Sequence, residues 1–171
     1  MSLRTLLVPI ALVGALATPA SALDRGPSTP EERARVVKLA EAAGKDPSAV
    51  PASDVKWFGE WIEAVPDIMF RGEAPARWCM TAAKGDLRKV IRFHYEVSGV
   101  AYQIQHQILD PKTLEEKTAI QQAAVEGVLR AYTALLAQHP ENRSEKMDEV
   151  LALQAKGEFA AWVKSLMAGK H

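Results

Sequence analysis

The chain has one cysteine, no excess of charge of either sign and few aromatic residues, and each shortage removes a class of protein. Cys79 stands alone among 171 residues, so no internal disulfide can form and packing alone must hold the fold. Lys plus Arg and Asp plus Glu number 21 each. With no basic surplus to neutralise phosphates, nucleic acid is not an expected partner. No strongly cationic amphipathic segment argues for a membrane surface. No run alternates apolar and polar residues over strand length with β-branched enrichment, and Asn-Gly or Asp-Gly hairpin signals are missing, which excludes a sheet protein.

Catalytic and metal motifs are equally scarce. No pair among His94, His106, His139 and His171 is three or four residues apart, so none forms a two-ligand helical site, and His-Glu-x-x-His is absent. Haem between Met69 or Met80 and His139 is the remaining cofactor alternative, but the spacing does not select it and no Cys-x-x-Cys-His is present. Ser98-Gly99 lacks the Gly-x-Ser-x-Gly elbow. The acidic pairs Glu31-Glu32, Glu115-Glu116 and Asp148-Glu149 fall near expected helix starts, where the helix dipole accounts for them. No cofactor, no metal and no enzymatic activity are expected.

The N-terminus carries the three parts of an export signal. Arg4 is the positive region, Leu6 to Leu16 the apolar run, and Ala20-Ser21-Ala22 the small residues before a cleavage site after Ala22. The run is shorter than the ~20 residues that span a bilayer. A leader at 1–22 and one helical domain at 23–171 follow, with no membrane insertion once the leader is removed.

The rest reads as helices. Thr29 caps and Pro30 opens the first, and Val36, Leu39, Ala40 and Ala43 recur at helical spacing up to Gly44. Ser53 or Asp54 opens a second, with Val55, Phe58, Trp61, Ile62 and Val65 as its stripe. Asp67 to Glu73 reads as a turn with one helical turn at Ile68-Met69-Phe70, and a short helix covers Pro75 to Ala83. From Asp86, Leu87, Val90, Ile91, His94, Val97, Ala101, Ile104 and Ile108 step by threes and fours. Thr113 and Glu116 form a capping box before a second long helix burying Gln121, Val125, Val128, Tyr132 and Leu135. Asn142 or Ser144 caps a third with Met147, Val150, Leu151 and Gln154 on one side. Gly157 then precedes Phe159, Trp162, Val163 and Leu166. The expected fold is all-α, a compact bundle of about five to six helices.

Single residues are read conservatively. Cys79 between Trp78 and Met80 reads as a small core hydrophobe, the alternatives being a reactive thiol or a bridge between two copies. His94 on the apolar stripe reads as a core histidine with one hydrogen-bond partner. Gln103, Gln105, Gln107, Gln121 and Gln122 crowd uncharged amides around the turn at Asp110, either as a polar interface or as a solvated helix end.

Three segments together carry a resemblance. They are Tyr95-x-x-x-Gly99-Val100-Ala101, Val128-Leu129-Arg130-Ala131-Tyr132 running to His139-Pro140, and Met147-Asp148-Glu149-Val150-Leu151-Ala152-Leu153. In an exported helical chain, this order is similar to the Rap/Tai family of periplasmic immunity proteins. The resemblance covers residues 76 to 160 within a core at 75–167. The helices at 29–65 are extra to the pattern, and the family's cysteine after the last helix is replaced by Ala160-Ala161. The resemblance implies a periplasmic, non-catalytic inhibitor of a peptidoglycan amidase effector delivered by type VI secretion. Its implied contact surfaces are the turn Leu109 to Lys112, with Asp110 and Lys112, and the loop Pro140 to Arg143, with Glu141, Asn142 and Arg143. An envelope structural or chaperone-like protein is the alternative, followed by a haem- or metal-binding bundle.

Overall fold

Helix starts set the frame of this computed structural model, which describes residues 25–169. The leader at 1–22, its cleavage site and His171 lie outside the described residues. Thr29 and Thr113 each close a capping box. Thr29 Oγ1 accepts from Glu32 N at 3.2 Å while Glu32 Oε2 accepts from Thr29 N at 2.9 Å. The Thr113–Glu116 pair repeats this at 3.1 and 2.9 Å. These bonds satisfy backbone donors that an α-helix leaves unpaired at its start.

Seven α-helices and no strand occur among the described residues: α1 Pro30–Lys45, α2 Ala52–Ala64, α3 Ala74–Ala82, α4 Leu87–His106, α5 Leu114–Gln138, α6 Glu145–Ala155 and α7 Phe159–Met167. The all-α expectation holds. The count is one above the expected upper figure, with the short α3 standing as its own element and Gly157, at φ +75°, separating α6 from α7. Among the described residues no helix is long and apolar enough to cross a membrane.

The antiparallel pair α4 and α5 forms the centre, and small residues set its spacing. A Cβ at Gly127 would fall 2.8 Å from the backbone oxygen of His94 and closer still to the Ser98 side chain. Backbone cannot yield there, so only glycine permits this approach. α4 is buried on two faces. Leu87, Ile91 and Tyr95 join Val125, Val128 and Tyr132 of α5, Cys79 of α3, and the inner sides of α6 and α7. Phe93, Val97 and Val100 join Val36 and Leu39 of α1 and Phe58 and Trp61 of α2 in a second cluster. Burying Phe58 and Trp61 contributes on the order of 2–3 kcal/mol each, so the helices at 29–65 pack as part of the bundle.

Several local expectations change. Residues 68–70 form no helical turn and run as irregular chain. α2 starts at Ala52, directly after Pro51. Gln154 is exposed, and Val55 on the α2 stripe is 36% exposed. Ser144 sits at the N-cap of α6 but makes no side-chain capping bond there. Its hydroxyl donates instead to the Ala82 carbonyl at 2.7 Å.

Candidate functional site

Residues 66–73 link α2 to α3 without repetitive structure, so their backbone groups must find partners elsewhere. Two buried glutamines supply three of them. Gln121 Nε2 donates to Arg71 O at 2.9 Å, and its Oε1 accepts from Glu73 N at 3.2 Å and from the Tyr95 hydroxyl. Gln103 Nε2 donates toward Met69 O at 3.3 Å and Ile108 O at 3.1 Å. Met69 N donates to Leu109 O at 2.8 Å. The Phe70 ring meets Tyr95 edge-on, with centroids 6.0 Å apart, in the space left by Gly99.

The other end of this strap is held by charge. Asp67 accepts from Ser28 N and Ser28 Oγ, both at 2.8 Å, and from the Arg33 guanidinium at 2.7 Å. Partial burial pushes its carboxyl up, but the Ser28 bonds and Arg33 together hold it below the usual carboxylate value.

Between the strap, the turn before α5 and the first turns of α5 lies a groove of about 300 Å³. Phe70, Ile120 and Gln121 line it together with the charged residues Arg71, Glu73, Asp110, Lys112 and Lys117. Lys112 pairs with Asp110. Arg71 and Lys117 form no ion pair among the described residues. Met69 also lines the groove and is 41% exposed. The glutamine bonds anchor the strap backbone that forms one wall of this groove.

The two expected contact surfaces are not brought together. The turn with Asp110 and Lys112 precedes α5, and the loop with Glu141, Asn142 and Arg143 follows it. At 1.5 Å per residue, 25 residues put them about 37 Å apart. Asn142 is 2% exposed, and its Oδ1 accepts from Asp86 N at 3.0 Å. It secures the start of α4 and is not open to a partner. Glu141 and Arg143 are exposed, lying beside His139 and Asp148 respectively.

Arg71, Glu73 and Lys117 escaped the sequence reading because loop and helix-surface charges carry no periodic signal. The amide cluster was the available sign. Gln103 and Gln121 proved to be buried clamps, whereas Gln105 and Gln107 are exposed.

Other reactive groups are dispersed. Cys79 is 1% exposed and burial pushes its thiol far up, which closes both the reactive-thiol reading and a bridge between copies. Met69 in the strap lies beside the first turns of α5 and His139 caps its far end, so they do not form an axial pair. Among the described residues no three His, Cys, Asp or Glu side chains gather at one point. No protein-family model, no curated protein and no solved structure matches the chain.

Proposed function

We propose that the protein acts in the periplasm by binding another protein, as an immunity-type inhibitor of a secreted cell-wall amidase. The observation that carries the binding reading is the groove beside the strap. Hydrogen bonds from the buried Gln121 anchor one wall, two cations lack ion-pair partners, and a flexible thioether stands at its edge. Preformed walls lower the ordering cost of association, and a few central anchors then dominate affinity. The amidase as partner, and export, rest on the resemblance and the leader-like N-terminus.

A stable interface takes roughly 800 Å² from each partner, more than the groove provides. Leu114, on the first turn of α5 and 58% exposed, extends the surface beyond it. The same exposed leucine, beside a groove between α5 and α7, favours the second reading, an envelope chaperone holding apolar client segments.

The test is capture of candidate amidases by residues 23–171, with their hydrolysis of peptidoglycan measured in parallel. One hydrolase bound at submicromolar affinity and inhibited supports the inhibitor. Loss of that binding in Arg71→Glu and Lys117→Glu, with circular dichroism unchanged, assigns it to the groove. Suppressed aggregation of unfolded clients without a single tight partner supports the chaperone.

A further inference from the structure

A smaller cavity, of about 200 Å³, lies where the α1–α2 connection meets α4. Its walls are largely apolar, with Pro47 and Val50 from the connection, Val90 and Phe93 from α4, and Leu135 from α5. Lys89 stands at its rim, with its side chain 76% exposed and its ammonium on Asp86 at 2.7 Å. The buried polar side chain lining it is His94, which is 2% exposed.

His94 was expected to have a hydrogen-bond partner, but neither ring nitrogen bonds to another described residue. Neither nitrogen is among the fully buried unpartnered side-chain atoms, so each keeps some accessible surface that a ligand can reach. The ring packs edge-on against Phe93, with centroids 5.3 Å apart. Burial, and then the charge of Arg130, push its pKa down to about 4. At neutral pH the ring is therefore an uncharged imidazole with one acceptor and one donor.

Size and chemistry select the occupant. An apolar protein cavity of ~150 Å³ takes up benzene, so this one holds a single small ring with room for one substituent. No unpaired cation lines it, which disfavours a carboxylate. The unserved nitrogen asks for one hydrogen-bonding group. We infer that this cavity is a binding site for a small neutral aromatic alcohol of phenol size, seated among Val50, Val90 and Phe93 with its hydroxyl on His94. The site is separate from the strap groove and does not depend on the inhibitor reading.

The test is a titration of the ¹⁵N-labelled protein with phenol, following the imidazole nitrogens of His94, and a matched titration with benzene. Phenol shifts the His94 resonances saturably at millimolar concentration. Benzene binds about three- to tenfold more weakly, the change expected for one net hydrogen bond. Val90→Phe fills the cavity and removes both responses, with circular dichroism unchanged. If that variant misfolds, Val50→Phe closes the cavity from the opposite wall. An unmoved His94 resonance, equal affinity for benzene, or full phenol binding by a folded cavity-filled variant overturns the assignment.

Discussion

Gly99 of α4 lies directly beneath the Phe70 ring. A Cβ at position 99 would come within 2.9 Å of Phe70 Cζ and closer to Cε2, with Ala124 Cβ 3.3 Å away on the other side. Mid-helix glycine normally costs up to ~1 kcal/mol relative to alanine. Here the missing methyl is the space through which the strap packs. Gly99→Ala should destabilise by about 1–3 kcal/mol, the usual cost of overpacking, as read by urea unfolding. A stabilised variant would show that Phe70 shifts freely.

Gln121→Leu should cost more than Tyr95→Phe. The leucine strips partners from Arg71 O and Glu73 N together, and each part-buried bond lost costs about 0.5–1.5 kcal/mol. Tyr95→Phe leaves Gln121 Oε1 its bond from Glu73 N. Amide hydrogen exchange at Glu73 should accelerate in the glutamine variant ahead of exchange in α5. Uniform acceleration would place the clamp inside the global unfolding unit.

The loop after α5 separates fold from surface. Asn142→Ala should lower stability by about 1–2 kcal/mol, because Asp86 N loses its acceptor. Arg143→Ala, an exposed pair with Asp148, should leave the melting temperature essentially unchanged. Equal losses in both would move Arg143 into the structural network.

His94 makes stability depend on pH. Its folded pKa, about 4, lies below the ordinary 6.5, so the unfolded chain takes up the proton first. The contribution is complete above pH 6.5 and is lost as pH falls toward 4, by up to about 3 kcal/mol. Asp67, also held below its ordinary value, adds a further loss at lower pH. Chemical denaturation between pH 7 and 4 should show the slope, and His94→Leu should flatten it.

Cys79 should resist a disulfide reagent in the native state and react at the rate at which the protein opens. Rapid native labelling would contradict its burial between α3 and the central pair.

What could be read from the sequence divides by range. Thr113 and Glu116 are three residues apart, and the α5 positions 121, 125, 128, 132 and 135 repeat at helical spacing, so short-range pattern alone places them. The second buried face of α4, with Phe93 and Val100, was not part of the single stripe, because a helix covered on both sides blurs its own periodicity. The strap was less legible still. Its form depends on amides 34 and 50 residues away, and hydrophobic spacing does not encode such bonds. At the candidate groove, Asp110 and Lys112 were named for the turn, while Arg71 and Lys117 needed the strap to bring them to the same wall.

Distance along the chain is also order in time, because a protein is made from its first residue onward. Arg71 emerges fifty residues before the glutamine that secures it. Until α5 arrives, the exit from α2 toward α3 lacks the side chain that holds Arg71 O and Glu73 N. The strap is therefore the part of the early chain whose partner is made last, and Gln121 is the latch that closes it.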